Sequence, residues 1–93
     1  MKYIICYDIT ENKIRQRVAK LLETWAARVQ NSVFIGELTV RQAASLQQEI
    51  LRLTKKAREP LLMMVPLCAT CEEKLWIKGI PREDWQEQEY IIF

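Results

Sequence analysis

A single carboxylate, Asp8, stands near the end of an otherwise apolar run, Tyr3-Ile4-Ile5-Cys6-Tyr7-Asp8-Ile9, and the only other aspartate is Asp84. A β-strand holds Asp8 rigidly, whereas Asp84 lies in a polar stretch near the end of the chain. Two chemistries suit a strand-end carboxylate. It can cap the following helix or accept a hydrogen bond from Arg15 or Arg17. It can instead be a catalytic metal ligand for Mg²⁺, which takes one or two carboxylates and fills its remaining positions with water and substrate phosphates. One aspartate per chain is too few for two-metal phosphodiester chemistry. The metal reading therefore needs a twofold axis that brings Asp8 of two subunits together, so that a shared ion activates water at a backbone phosphate.

Composition removes several competing chemistries. The chain has no histidine, which excludes imidazole acid/base catalysis, histidine-activated nucleophiles and most catalytic zinc sites. Its only glycines are Gly36 and Gly79, too few for a glycine-rich phosphate loop. Cys68-x-x-Cys71 has the spacing of half a zinc knuckle or of a redox pair, but Cys6 is the only further cysteine. With partner ligands and a thioredoxin pattern both missing, a simple turn is the favoured reading. An odd number of cysteines, one inside a strand, fits a reducing compartment and a cytoplasmic protein. No apolar run approaches the roughly 20 residues that span a bilayer, and Met1-Lys2 leads directly into a strand, so no signal segment and no membrane partner are expected.

The net charge of +2 hides an asymmetry: residues 1–58 hold 11 Lys/Arg against 5 Asp/Glu, and residues 59–93 hold 3 against 7. A basic N-terminal portion suits a polyanion, and solvated helix surfaces are the plainer alternative. The elements that would carry this charge follow from periodicity. Residues 2–9 read as a buried strand. Asn12 or Thr10 caps a helix over residues 13–27 whose Ile14, Val18, Leu21, Leu22 and Trp25 recur at helical spacing, which makes Trp25 a core residue. Lys13, Arg17, Lys20 and Arg28 gather on one flank of that stripe, provided the helix reaches Arg28. That flank is a candidate phosphate-binding surface.

Val29 to Leu38 reads as two strands split by Asn31-Ser32, with Gly36 marking a bend. Thr39 and Gln42 have capping-box spacing and open a second helix to residue 56, with Ala43, Leu46, Ile50 and Leu53 facing inward. Residues 61–65 form a strand closed at Pro66-Leu67, residues 75–78 a short edge strand, and residues 90–93 a final strand at the terminus. Trp76 and Trp85 are expected to pack at a subunit interface or over the sheet edge. The order implies an α+β fold, a ferredoxin-like βαββαβ sandwich with an additional C-terminal strand. At 93 residues it is one domain, small enough that a homodimer is expected.

Tyr7-Asp8-Ile9, Arg15-x-Arg17, Arg28-Val29-Gln30-Asn31-Ser32-Val33-Phe34 and Leu67-Cys68-x-x-Cys71, together with Gly79, resemble CRISPR-associated endoribonuclease family two, the small ferredoxin-like subunit of the spacer-acquisition complex. The resemblance runs over essentially the whole chain. It implies a homodimer that joins the adaptation integrase and holds double-stranded DNA, with metal-dependent endonuclease activity described on single-stranded RNA or double-stranded DNA. It also implies that Asp8 is the metal ligand, that Tyr7, Arg15, Arg17, Arg28 and Phe34 line the cleft or contact substrate, and that Ser32 shapes it. Residues 80–93 become a C-terminal extension in which Tyr90, Ile91, Ile92 and Phe93 reach the partner subunit or the integrase.

The leading expectation is a dimeric DNA-binding scaffold with a potential Mg²⁺ site at Asp8. A toxin-like endoribonuclease whose hydrolysis is the biological role is the first alternative. A ferredoxin-like regulatory module that binds a small ligand is the second.

Overall fold

The computed structural model describes residues 1–78. The expected final strand and the interface residues Tyr90, Ile91, Ile92 and Phe93 lie outside the described residues. The elements run β1 (Lys2–Asp8), α1 (Asn12–Trp25), β2 (Ala27–Gln30), β3 (Val33–Glu37), α2 (Val40–Leu53), β4 (Leu61–Leu67) and α3 (Ala69–Glu73). The strands form one antiparallel sheet in the order β2-β3-β1-β4. Two βαβ halves, each placing its first strand (β1 or β3) at the centre of the sheet, give this order, which is the ferredoxin-like arrangement.

β1 is hydrogen-bonded on both sides, Ile5 opposite Phe34 on β3 and opposite Met64 on β4. It is not buried on both faces, as the apolar run suggests. Tyr3, Ile5 and Tyr7 are buried under the helices, while Ile4 and Cys6 are half-buried and Asp8 is exposed on the opposite face. The helix-side core gathers Tyr3, Ile5, Tyr7, Val18, Leu22 and Phe34 with Leu46 and Ile50. Each such side chain contributes about 1.5–3 kcal/mol on burial. Phe34 sits at its centre with no exposed surface. On the other face, Val29 and Ile35 form a smaller cluster with Ile4, Leu75 and Ile77 packed against it.

α1 starts one residue early and ends two residues early relative to the periodicity. Its N-cap is Glu11 rather than Thr10 or Asn12, and no side chain caps it. At the other end Ala26 is already extended (φ −149°, ψ 161°), so Arg28 belongs to β2 and not to the helix flank. Trp25, on the last turn, is 42% exposed and not a core residue. Gly36 lies within β3 rather than at a bend, and the reason for it is proximity. A Cβ there would meet Ala26 Cβ at 2.7 Å and the Trp25 carbonyl oxygen at 2.8 Å. The glycine lets the end of α1 press onto β3.

α2 opens with the expected capping box: Thr39 Oγ1 accepts from the Gln42 amide at 3.0 Å, and Gln42 Oε1 accepts from the Thr39 amide at 2.9 Å. It closes at Leu53, with Thr54 as C-cap, so Lys55 and Lys56 stand beyond the helix. Glu59, at φ 48°, turns the chain into β4. β4 runs through Pro66 to Leu67, which an edge strand tolerates because its outer amides need no partner. Cys68 caps the short helix α3 where a plain turn is expected. Residues 75–78 form no regular strand.

One long-range tie fixes the loop after β1. Glu11 Oε2 accepts from the Arg58 amide at 2.9 Å, across 47 residues of chain. This bond, with a smaller contribution from the Arg58 charge, holds the Glu11 carboxyl below its ordinary range. Glu11 therefore contributes stability that is present at neutral pH and is lost as the pH falls through its lowered pKa.

Two outcomes follow. Gly36→Ala should lower stability by about 1–3 kcal/mol through overpacking against Ala26, and an unchanged urea midpoint would contradict the close approach. Glu11→Gln should be less stable than the parent at pH 7, with the gap closing as the pH falls through the lowered Glu11 pKa; urea melts from neutral to acid pH that keep a constant gap would remove the Glu11 carboxylate as the source.

Candidate nucleic-acid and metal site

The end of β1 places two adjacent residues on opposite faces of the sheet, because side chains alternate along a strand. Tyr7 points into the helix-side core and Asp8 points out. Tyr7 is almost fully buried, and its ring stacks against Phe34 with centroids 6.2 Å apart and planes 29° apart. Its hydroxyl donates to the Asn31 carbonyl at 3.4 Å and accepts from Arg28 Nη2 at 3.3 Å. The Tyr7 amide donates to the Ser32 carbonyl at 3.2 Å, which docks the Asn31-Ser32 turn against the end of β1.

Arg28 reaches this place from β2, opposite Phe34. Its guanidinium lies 5.2 Å from the Phe34 ring centroid and pairs with Glu23 at 3.5 Å. A cation over an aromatic face gains about 0.5–2 kcal/mol, so Arg28 is held on three sides. Its Nε is buried and has no hydrogen-bond acceptor among the described residues. The β2–β3 register shifts between Arg28 and Gln30, the kind of break that increases local twist and re-aims side chains.

Arg15 works on the loop and not on Asp8. Its Nη1 donates to the carbonyls of Ile9 at 3.0 Å and Thr10 at 3.2 Å, and its Nη2 donates to Asn12 Oδ1. The backbone that follows Asp8 is thereby stapled to α1. The Asp8 carboxylate itself has no hydrogen bond or ion pair among the described residues, which sets aside the capping and arginine-pairing readings.

Tyr7, Asp8, Arg15, Arg28 and Ser32 come together around one cleft of about 420 Å³, joined by Gln16 and Asn31. The structure does not bring every expected residue to it. Lys13, Arg17 and Lys20 are exposed along α1 and do not line the cleft. Phe34, expected to contact substrate, is wholly buried beneath Arg28 and supports the cleft from below. Glu23 and Glu11, which anchor Arg28 and the loop, escape sequence reasoning. Glu23 had a weak signal as an acid near the helix end, whereas nothing in the spacing links Glu11 to Arg58.

No group of three or more metal-ligating side chains occurs among the described residues. Among the residues that line the cleft, Asp8 is the carboxylate, exposed and without a competing protein donor among the described residues. That donor set fits Mg²⁺ only when water, a phosphate or a second copy supplies the remaining positions.

Residues 1–75 match the family model described as CRISPR associated protein Cas2. The CRISPR-associated endoribonuclease Cas2 1 of Chloroflexus aurantiacus is 38% identical over 93 residues, covering 99% of this chain and 100% of the relative. A CRISPR-associated endonuclease Cas1/endonuclease Cas2 fusion from Thermoproteus tenax is 36% identical over 58 residues, 61% of this chain and 22% of the fusion. The crystal structure of Streptococcus pyogenes Cas2 at pH 6.5 superposes with a TM-score of 0.71, covering 85% of this chain and 100% of that one, and at 22% identity it speaks for the fold. The family model matching residues 1–75 and the relative matched end to end show that the chain belongs to the CRISPR-associated Cas2 family.

Proposed function

We propose that this chain is a homodimeric scaffold of CRISPR adaptation that grips duplex DNA beside the Cas1 integrase and keeps a Mg²⁺-dependent endonuclease site at Asp8. The observation that carries this reading is the set of cations along α1. Lys13, Arg17 and Lys20 fall within about 60° of one another at 100° per residue, are exposed, and make no ion pair among the described residues. Unneutralised charge of this kind binds phosphates without reading bases. A protein that accepts arbitrary foreign DNA needs that property. The Thermoproteus tenax fusion, which joins the two names in one chain, supports the integrase as partner.

The dimer is supported by the outer face of the sheet. Leu61, Met63 and Val65 project from edge strand β4 and are between 38% and 52% exposed. Leu61 pairs with Asp8 and Met63 with Cys6, so the apolar ladder leads directly to the carboxylate. A second copy covering this ladder by a twofold axis that runs along β4 would bring its own Asp8 to the same end of the interface.

Within that arrangement the chain's own residues divide the work. Asp8 supplies fixed negative charge. Arg28, anchored by Glu23, Tyr7 and the Phe34 ring, presents a positioned cation to a phosphate in the cleft. Arg15 already donates to three groups of the loop and serves to keep Asp8 in place. Mg²⁺ held by Asp8 would supply a Lewis acid and a bound water of lowered pKa.

The names of the curated relatives favour hydrolysis of RNA as a second reading, and one pair of measurements separates the two. Asp8→Ala should abolish phosphodiester hydrolysis while duplex binding and spacer acquisition persist; loss of acquisition with intact complex assembly would instead make hydrolysis the biological role. Duplex affinity should fall steeply with salt, and removing Lys13, Arg17 and Lys20 together should flatten the log–log slope by about 0.9 for each phosphate that is no longer neutralised. A slope unaltered by the triple substitution would place the DNA grip elsewhere.

A further inference from the structure

The two thiols after β4 take no part in the site described above, and their geometry is not that of an idle turn. Cys68 and Cys71 are both exposed and unpaired. Cys68 is the N-cap of α3, and its Sγ accepts the Cys71 amide at 3.4 Å. The two side chains also meet: the Cys71 amide first, and the Cys71 thiol second, hold Cys68 below the ordinary thiol range, while donation to Cys68 pushes Cys71 above it. The pair is thus asymmetric: the Cys71 amide donates to Cys68 Sγ, and Cys68 ionises more readily than Cys71. That asymmetry is what a nucleophilic and a resolving cysteine require.

We propose that Cys68 and Cys71 form a reversible dithiol–disulfide site that exchanges with low-molecular-weight disulfides and fixes the turn leading out of β4. The exchange balances in two steps. The Cys68 thiolate attacks one sulfur of a disulfide RSSR, breaking its S–S bond, forming a Cys68–SR mixed disulfide and expelling RS⁻, which takes a proton from solvent. Cys71 then loses its proton to solvent and attacks Cys68 Sγ, forming the Cys68–Cys71 bond and expelling the second RS⁻. Two electrons pass from the dithiol to the reagent, and two RSH are released.

The position of the pair gives the redox state something to act on. Glu72, next to Cys71 in this turn, pairs with Lys2 at 3.5 Å and ties α3 to the start of β1. Immediately beyond, Leu75 and Ile77 pack against the Val29–Ile35 cluster on the outer face. Side chains three residues apart on a helical turn have Cβ atoms about 5–6 Å apart, and a disulfide draws them to about 3.5–4.5 Å. Closure therefore tightens the turn that directs residues 75–78 across the sheet.

The test uses the full chain in glutathione disulfide/glutathione buffers, with alkylation and peptide mass mapping. The expected product is an intramolecular Cys68–Cys71 bond, seen as loss of two hydrogens in the peptide holding both residues, and reversed by excess glutathione. Cys71→Ser should trap glutathione on Cys68, and Cys68→Ser should form its adduct about tenfold more slowly. Cys6→Ser should leave the reaction unchanged. Equal adduct rates for the two serine variants, or intermolecular dimers in place of the internal bond, would overturn the site. Hydrogen exchange of residues 74–78 should slow on oxidation, and identical exchange in the two redox states would refute the coupling to the turn.

Discussion

The structure depends on the register of β1. This central strand pairs on one side with β3 and on the other with β4, in the latter case over its whole length from Lys2 to Asp8. The alternation of its side chains assigns Tyr3, Ile5 and Tyr7 to the helix-side core and Ile4, Cys6 and Asp8 to the open face. A slip of one residue would exchange the two sets. It would bury the Asp8 carboxylate against Phe34, at a cost of several kcal/mol or by forcing protonation, and would expose two tyrosines. The packing that stabilises the fold is therefore the same interaction that presents the carboxylate to solvent.

That dependence explains what the sequence disclosed and what it did not. The element order, the split at Asn31-Ser32 and the Thr39/Gln42 capping box rest on local chemistry, so they were legible from neighbouring residues. The two ends of α1 were not. Continuing the 100° spacing past Trp25 puts Arg28 on the helix flank, but Ala26 becomes extended because Gly36 offers no Cβ to hold that turn away. The relevant residue lies ten positions along the chain. Cys68 to Glu73 is too short for periodicity to declare a helix, and the alternation at residues 75–78 marks packing on the outer cluster without strand pairing.

The candidate site was legible as residue types and only partly as positions. Tyr7, Asp8, Arg15, Arg28 and Ser32 do share a cleft, yet their tasks differ in ways that depend on three-dimensional partners. Arg15 and Arg28 look equivalent to Arg17 in sequence. In the fold Arg15 is consumed by carbonyls at the end of β1, and Arg28 is held by Glu23, Tyr7 and Phe34. In the proposed DNA grip the anchored Arg28 would position a phosphate, whereas the exposed cations of α1 would supply the salt-sensitive attraction. That proposal assigns specific geometry and general affinity to different residues.

The outer face shows a matching division. Its β2–β3 side is covered by Leu75 and Ile77 of the same chain, and its β4 side leaves Leu61, Met63 and Val65 in solvent. In the proposed dimer the uncovered ladder meets its own copy, since a twofold contact is self-complementary. Burial of apolar surface favours that contact, but it also draws together two Asp8 carboxylates, whose mutual repulsion opposes it. A divalent cation held by both would relieve the repulsion. Association and cation binding at Asp8 would then be reciprocally linked, each strengthening the other by the same factor, and the carboxylate of the proposed metal site would become part of what sets the strength of the dimer.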